Sequence, residues 1–428
     1  MTLMVHSELI NGKMFQMEFS DPVDTFSCFS NTRTREVCIN HAVETFSSSP
    51  IGSIFILLME SSPVVIDIGS AWCKAGLSGK NYPTLIIPTV VGYQPYDENL
   101  NKSPPKMRKV IGSENMHVLR ELSVTEFPVN RGQILNWEAM EAIWHHTFDC
   151  LHIKTKDHPV LITELPWKDR NYQQKILEIM METFNVPSLH FGNQAELAMY
   201  GSGLLTGIVL ECGAGLTHIV PILGGHMIPK CLLVHETGGL DISVLLYKHL
   251  FQEDMRLNDL VQREAMDDLK EKFCYVNKIP YQKESSGDLT SKQGRVSVLP
   301  DGMVISLTEQ HCTFPDIFFN PSQFGVLGPK LGLEVLKSAM SCPHESKDNI
   351  FSHVVLSGGS TLFPGFPERL LWELNTTKPL MYSTEVVSRP NRIYLPWIGG
   401  AILSRLSTFG SCFITKMEYY EARAAAGI

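Results

Sequence analysis

Two segments of the chain repeat one pattern of hydrophobic and polar positions. Pro63 to Gly79 reads PVVIDIGSAWCKAGLSG, and Thr206 to Gly225 reads TGIVLECGAGLTHIVPILGG. Each starts with an aliphatic run, places an acid (Asp67 or Glu211) two positions before a glycine, and continues into a second apolar stretch. This pattern predicts a strand, a tight turn and a second strand. Because the pattern recurs about 140 residues later, it also predicts an internally duplicated fold.

The paired hairpins suggest a particular chemistry. One apolar run ending in Asp-x-Gly is most often a plain strand followed by a turn. Two such runs are more informative, because glycines let backbone N–H groups approach an anion, and a nearby carboxylate suits a divalent cation held through water. Two facing hairpins would therefore clamp a nucleotide phosphate tail and its Mg²⁺.

Other segments alternate between the periods of strands and helices, which predicts an α/β fold. Asn136 is a candidate N-cap for a helix in which Met140, Trp144, Phe148 and Leu151 recur on one face. Adjacent His145 and His146 point about 100° apart on this helix, so they are not expected to share a metal ion.

The remaining predicted elements, in chain order, are an irregular segment (Gly92–Phe127), a buried strand (His158–Pro166) followed by a helix reaching Phe184, a helix (Arg263–Val276), a hairpin with its turn at Pro300-Asp301-Gly302 (Val296–Leu307), a strand running into two glycines (His353–Phe366), and a small-residue turn followed by a helix (Trp397–Phe409).

Bulk properties narrow the class of protein. At 428 residues the chain needs at least two lobes, and its net charge of −9 argues against a dedicated nucleic-acid binder. No apolar run approaches the roughly 18 residues of a membrane span, and the ten cysteines contain no C-x-x-C pair. These features predict a soluble cytoplasmic protein with reduced thiols. Residues 1–62 are rich in Ser, Thr, Asn and Phe and are expected to form a poorly ordered extension.

From about Pro63 to Tyr420 the chain resembles actin and the actin-related proteins. Matching strings include DIGSAWCKAGLSG, NWEAMEAIWHHTF, HPVLITELP, VVLSGGSTLFPGF and WIGGAILSRLSTF, in that order. The resemblance implies the actin-like ATPase fold shared with sugar kinases and Hsp70: two duplicated α/β lobes, four subdomains, and a cleft for ATP or ADP with Mg²⁺ or Ca²⁺. It further implies an actin-like domain over 63–428, with subdomain 1 at 63–88, 128–201 and 395–428, subdomain 2 at 89–127, subdomain 3 at 202–237 and 327–394, and subdomain 4 at 238–326.

The resemblance assigns roles to residues of the expected cleft. Asp67 would hold the metal through water, and Glu211 stands where actin has a metal-organising aspartate. Lys74 would reach the β-phosphate, while Gln194 and His218 would position the attacking water. Further nucleotide contacts are expected from the turn residues Gly69, Ser70, Gly213 and Gly215, from Lys270 and Glu271 beside the purine and ribose, and from Gly358, Gly359, Ser360 and Phe363.

Several positions depart from the family pattern. Ala71 replaces a glycine, which is tolerable only if its φ is negative. Glu211 extends its carboxylate by about 1.5 Å, and Ala214 replaces a second aspartate. At the adenosine end, Asp267 replaces an arginine and Ile393 replaces a lysine. Losing one or two charged hydrogen bonds weakens affinity roughly ten- to a thousandfold, so we expect weakened ATP binding and little ATPase turnover.

The surfaces that build actin filaments also differ. The loop after Gly92 carries prolines and lysines, and Gln323 is polar within the plug segment Phe319–Pro329, where Phe324 and Val326 stay apolar. The C-terminus, EARAAAGI, lacks the family's closing segment. We therefore expect a divergent, actin-like structural or interaction component of the cytoskeleton, with cytoskeletal or actin-binding partners.

Two other functions stay open. The first is an active, ATP-hydrolysing and filament-forming actin homologue. The second is a sugar-kinase-type phosphotransferase, for which the sequence offers no catalytic base. The divergence is similar to that of family members restricted to the testis, so expression in the testis is a further expectation.

Overall fold

The computed structural model describes residues 62–95, 107–122, 124–167, 170–256, 259–280, 295–299, 302–379 and 381–426. Predictions for the N-terminal extension up to residue 61, for 96–106 of the loop after Gly92, and for the turn residues Pro300 and Asp301 lie outside these ranges. Within them the chain alternates strands and helices, which confirms the α/β class.

The strands of the described residues are β1 (Val64–Ile68), β2 (Trp72–Leu77), β3 (Leu85–Pro88), β4 (Val91–Pro95), β5 (Met107–Val110), β6 (Thr125–Glu126), β7 (Val129–Asn130), β8 (Gln133–Ile134), β9 (Val160–Glu164), β10 (Ser188–Asn193), β11 (Gly207–Cys212), β12 (Thr217–Leu223), β13 (His226–Met227), β14 (Leu233–His235), β15 (Arg295–Val298), β16 (Val304–Leu307), β17 (His353–Ser357), β18 (Glu385–Val387) and β19 (Ile414–Thr415).

The α-helices of the same residues are α1 (Met116–Glu121), α2 (Trp137–Cys150), α3 (Arg170–Glu178), α4 (Gln194–Gly201), α5 (Gly239–Phe251), α6 (Leu260–Phe273), α7 (Glu309–Cys312), α8 (Leu331–Met340), α9 (Lys347–Ser352), α10 (Phe366–Thr377), α11 (Leu395–Leu403) and α12 (Lys416–Ala426).

Two sheets repeat one topology. The first has the order β19-β10-β9-β1-β2-β3, and the second has β13-β12-β11-β17-β18 with β14 on β12. In each, an antiparallel hairpin (β1–β2 or β11–β12) is extended by a parallel strand beside its first member, β9 or β17. Strand β1 is buried along its whole length, and β11 is buried at every position except Glu211, as their apolar runs require. The predicted duplication is thus present in the strand order.

Each sheet carries its own hydrophobic core. One core gathers Val64, Ile66 and α2 residues such as Trp144, and the other gathers Ile208, Leu210 and the phenylalanines of segment 314–319. Helix α2 begins as predicted, because the Asn136 side chain accepts a hydrogen bond from the Ala139 amide at 3.0 Å. Two separate cores agree with the two lobes expected from the chain length.

Three local predictions need correction. The segment after Gly92 is not irregular throughout, because β5 and α1 form within it and bury Val110 and Leu119. Helix α6 begins at Leu260 rather than at Arg263, since the Asp259 side chain caps the Gln262 amide, and it ends at Phe273. The glycines of Trp397–Phe409 lie inside helix α11 and form no turn.

Candidate functional site

A cavity of about 420 Å³ lies where the turns of the two hairpins face each other. Its walls come from β1–β2, β11–β12, the end of β17 and helices α4 and α6. Every residue that the sequence nominated lines this cavity: Asp67, Gly69, Ser70, Lys74, Gln194, Glu211, Gly213, Gly215, His218, Lys270, Glu271, Gly358, Gly359, Ser360 and Phe363. The departures Ala71, Ala214, Asp267 and Ile393 line it as well. The fold therefore brings the nominated residues together in one place.

On the first hairpin, the Asp67 carboxylate is held by three donors. Lys74 Nζ lies 2.8 Å from Asp67 Oδ2, while Thr163 Oγ1 and Gln194 Nε2 donate to Oδ1 at 2.7 and 3.2 Å. The side chain of Asn193 caps α4 and so fixes Gln194 at the first position of that helix. Sequence reasoning missed Thr163, which lies on the adjacent parallel strand. Asp67 thus presents a fixed negative charge to the cavity.

The ammonium of Lys74 remains protonated in this setting. Burial by itself would lower the pKa of Lys74, but the charge and hydrogen bond of Asp67 outweigh it, and the pKa is raised. A lysine held charged at the base of a cavity is a suitable partner for a phosphate oxygen.

In the second hairpin, Glu211 and His218 occupy the positions that Asp67 and Lys74 occupy in the first. Asp67 pairs with Lys74 across the first hairpin, and Glu211 pairs with His218 across the second, each partner seven residues further along. Here the contact is looser, since His218 Nε2 lies 3.5 Å from Glu211 Oε2. No hydrogen bond joins these two atoms. The duplicated positions therefore carry a tight ion pair on one side and a loose pair on the other.

Polar atoms of the second hairpin lack partners inside the protein. Within the described residues, Glu211 Oε2 and both ring nitrogens of His218 are buried without a hydrogen bond. The Trp167 ring packs edge-on against His218 at 5.6 Å between centroids. Buried polar atoms without partners carry a free-energy penalty unless water or a ligand satisfies them. These atoms fit an ordered water or the hydrated cation that the family binds.

At the far end of the cavity, Lys270 is engaged by protein groups. Its Nζ donates to Gly239 O at 3.0 Å and to Ser243 Oγ at 2.9 Å, and it forms an ion pair with Asp267. The side chain of Ser243 also donates to Asp267 at 2.7 Å. Asp267, which also lines the cavity, therefore occupies the ammonium group of Lys270 and offsets its charge. Burial raises the pKa of the adjacent Glu271.

The turns at the cavity require close backbone approach. A Cβ on Gly69 would lie 2.8 Å from the Trp72 carbonyl oxygen, and Gly358 adopts a φ of +85° beside the backbone of Cys212. Ala71 is not among the residues with positive φ, so the condition for replacing its glycine is met. Ser360 Oγ donates to Gly213 O at 2.9 Å and ties the third turn to the second.

Arg131, which sequence reasoning also missed, crosses between the two hairpins. It lies between β7 and β8 with a φ of +45°. Its guanidinium donates to the carbonyl of Gly215 at 2.7 Å, to the carbonyl of Glu236, and to both carboxylate oxygens of Asp241. The neighbouring Gly132 amide donates to Ser70 Oγ at 3.0 Å. These contacts join the first half of the chain to the turn of the second hairpin.

The duplicated sheets and the cavity between their hairpins define an actin-type fold. The family model described as Actin matches residues 58–426, so the chain belongs to the actin family. It is similar to Centractin of Schizosaccharomyces pombe, with 36% identity over 364 residues that cover 85% of this chain and 96% of that protein. Proteins of this family are cytoskeletal and generally bind ATP or ADP with a divalent cation. No helix in the described ranges is long and apolar enough to cross a bilayer.

Proposed function

We propose that this protein is an actin-related structural or interaction component of the cytoplasmic cytoskeleton that binds ATP weakly and hydrolyses it slowly. The observation that carries the proposal is the asymmetry of the cavity. The network of Asp67, Lys74 and Gln194 is complete, whereas the second hairpin offers a longer acid at Glu211 and no carboxylate at Ala214.

The first hairpin, which carries Asp67 and Lys74, binds the phosphate tail of the nucleotide. Lys74 meets a phosphate oxygen as a fixed positive charge, and Asp67 holds the hydration shell of the cation. The cation, when bound, supplies neutralising charge for the phosphate tail. The turns at Gly213 and Gly358 bring the backbone to the cavity wall, although the N–H groups of these two glycines donate to the carbonyls of Leu216 and Arg392. Affinity is reduced because Asp267 occupies the ammonium group of Lys270 and Ile393 supplies no charge beside the purine.

Slow hydrolysis follows from the geometry of the second hairpin. Gln194 and His218 remain in place to orient a water molecule, but Glu211 displaces the carboxylate that would organise the cation. A misplacement near 1 Å costs about 10²-fold in rate when positioning carries the catalysis. Ala214 has no carboxylate, so it does not supply the negative charge of the aspartate that the family resemblance leads us to expect there.

The binding claim is tested by thermal melting of the full chain with and without Mg-ATP. We expect Mg-ATP to raise the melting temperature, because a ligand that binds only the folded state stabilises it. Replacement of Lys74 by Ala should abolish the increase. The matched variant Lys80→Ala, on an exposed lysine at the end of the same hairpin, should keep it. An unshifted wild-type protein, or an unchanged shift in the Lys74 variant, would contradict the proposal.

A filament-forming ATPase is the second candidate, and one observation favours it. Leu327, in the plug segment, is 100% exposed, whereas Phe324 and Val326 are half-buried against the core. An exposed leucine at a projecting tip suits an apolar contact with a neighbouring subunit. Gln323 is also exposed there and opposes such a contact. We propose that filaments do not form, and a robust pellet on sedimentation in polymerising salt would establish the alternative.

The subdomain boundaries, the partners and the tissue of expression are proposals as well. We place the subdomain boundaries where the family resemblance implies them, with cytoskeletal or actin-binding proteins as partners. Expression in the testis remains a prediction from divergence.

A further inference from the structure

Away from the cavity, three side chains with metal-binding atoms converge on the surface of helix α2. His146 and Cys150 lie one turn apart on α2, and Glu114 comes from the short turn that precedes α1. His146 Nε2 is 3.2 Å from Glu114 Oε1 and 3.4 Å from Cys150 Sγ. All three candidate ligand atoms lie within 4.8 Å of one another. None of these residues lines the cavity between the hairpins.

The spacing of these atoms matches a tetrahedral metal site. Zinc binds imidazole nitrogen at about 2.0–2.1 Å, thiolate sulfur at about 2.3 Å and carboxylate oxygen at about 2.0–2.2 Å. In a tetrahedron these bonds place neighbouring ligand atoms about 3.3–3.6 Å apart. The two measured separations from His146 Nε2 are within about 0.2 Å of that range. Two of the three separations therefore suit an ion already, and the third is at most 4.8 Å.

The backbone beside the cluster leaves room for it. Gly112 has a φ of +101°, and a Cβ there would lie closer than 3.0 Å to His146 Nε2 and to both carboxylate oxygens of Glu114. Only glycine combines this backbone conformation with the required space. Gly112 thus allows the Glu114 carboxylate to approach the imidazole from a second element of the structure.

The cluster is also accessible to an ion from solvent. The Glu114 side chain is 57% exposed and that of His146 is 20% exposed. Three protein ligands with an open side leave a fourth position for water. Adjacent His145 does not take part, because its ring packs against Phe184 at 4.5 Å and faces Glu141. The two histidines thus have different neighbours, and His146 contacts Glu114 and Cys150.

We propose that Glu114, His146 and Cys150 form a surface site for a divalent transition-metal ion of the zinc class. Sulfur, imidazole and carboxylate together suit zinc or cobalt rather than magnesium or calcium, which prefer oxygen ligands alone. On binding, the S–H bond of Cys150 breaks, a sulfur–metal bond forms, and the proton passes to solvent. The ion would cross-link the turn before α1 to helix α2, to which the ion pair of Lys109 and Glu138 already joins strand β5.

Cobalt(II) titration of the metal-free full chain tests this site directly. A cobalt–thiolate bond gives a near-ultraviolet charge-transfer band, and a tetrahedral site gives strong visible bands. We expect both in the wild-type protein. Cys150→Ser should abolish the charge-transfer band, while His146→Gln and Glu114→Gln should each weaken cobalt affinity about tenfold or more. Zinc should displace cobalt and remove both bands.

Two controls separate this site from other thiols and histidines. His145→Gln alters the neighbouring histidine of the same helix and should leave cobalt affinity unchanged, as should Cys412→Ser. The melting temperature of each metal-free variant verifies that it is folded, and zinc should raise this temperature in the wild type but not in Cys150→Ser. Absence of the bands in the wild type, their survival in Cys150→Ser, or an equal loss in His145→Gln would overturn the proposal.

Discussion

At the scale of single residues, the two hairpins differ in how their acids are held. Asp67 accepts hydrogen bonds from Lys74, Thr163 and Gln194 and therefore has one fixed orientation. Glu211 has one more rotatable bond and faces His218 at 3.5 Å without a hydrogen bond. Since positioning is a large part of phosphoryl-transfer catalysis, the looser acid supports the proposal of slow hydrolysis more than a failure to bind.

This difference predicts that restoring the family's acids should restore hydrolysis. In the variant Glu211→Asp/Ala214→Asp, the shorter acid draws the carboxylate back and the second acid returns the missing charge. We expect phosphate release to rise by about 10²-fold, measured with Mg-ATP at saturation.

The matched control changes the same residue types away from the cavity. Glu421→Asp/Ala425→Asp places them at exposed positions of helix α12 and should release phosphate at the wild-type rate. If the restored variant were no faster than this control, the second hairpin would not be the cause of slow hydrolysis.

At the scale of secondary-structure elements, helices α4 and α11 cross closely behind the cavity. Gly399 lies at the crossing, where an added Cβ would come closer than 3.0 Å to the Leu197 carbonyl oxygen. Trp397, two residues earlier, donates from its indole to the Val65 carbonyl at 3.0 Å and anchors α11 to the central strand β1. The crossing thereby supports α4, which carries Gln194.

We predict that Gly399→Ala destabilises the fold. The methyl group meets backbone and not a flexible side chain, so the helices must move apart, at a cost of about 1–3 kcal/mol. Urea denaturation of the variant should show a lower midpoint with little change in slope. Gly79→Ala is the control, because the nearest atom to its added Cβ is Ser62 Oγ at 3.9 Å. Equal stability of the two variants would contradict the close crossing.

Sequence patterns predicted these elements unevenly, for physical reasons. The hairpins and α2 carry their own periodicity and caps, so local reasoning found them. Gly399 and the glycine after it look like a turn in isolation, since the close helix contact that favours glycine is tertiary. Thr163 and Arg131 were missed because their roles depend on which strand lies beside β1 and which turn faces β7. The hairpin pattern nominated the acids Asp67 and Glu211 with the turn glycines, the family resemblance nominated the other cavity residues, and the roles of all of them in binding remain predictions.

At the scale of the whole molecule, several contacts join the first half of the chain to the second. Arg131 bridges to Gly215 and Asp241, and Arg120 forms a two-point ion pair with Glu264 at 2.7 and 3.1 Å. Beneath Arg120, an apolar cluster joins Val90, Val110 and Leu119 to Leu260 of helix α6. Charged and apolar contacts therefore connect the two halves of the chain. Because these contacts restrain separation of the two halves, they should slow the exchange of a bound nucleotide.

We predict that Arg131→Gln accelerates nucleotide exchange. The change removes a two-point contact with Asp241 and a donor to Gly215, and the partly exposed setting limits the effect to roughly three- to thirtyfold. Release of a fluorescent ATP analogue on dilution measures the rate. Arg256→Gln is the matched control, because it breaks an ion pair with Asp259 that lies within one segment. Equal release rates in the two variants would contradict the prediction that Arg131 slows nucleotide exchange.

We propose that this actin-family chain binds ATP weakly and turns it over slowly. The most direct measurement is the identity of the nucleotide extracted from the purified full chain after incubation with Mg-ATP and removal of free nucleotide. We expect less than one nucleotide per chain, because binding is weak, and we expect it to be recovered mainly as ATP. Recovery of no nucleotide would contradict binding, and recovery mainly as ADP would contradict slow hydrolysis.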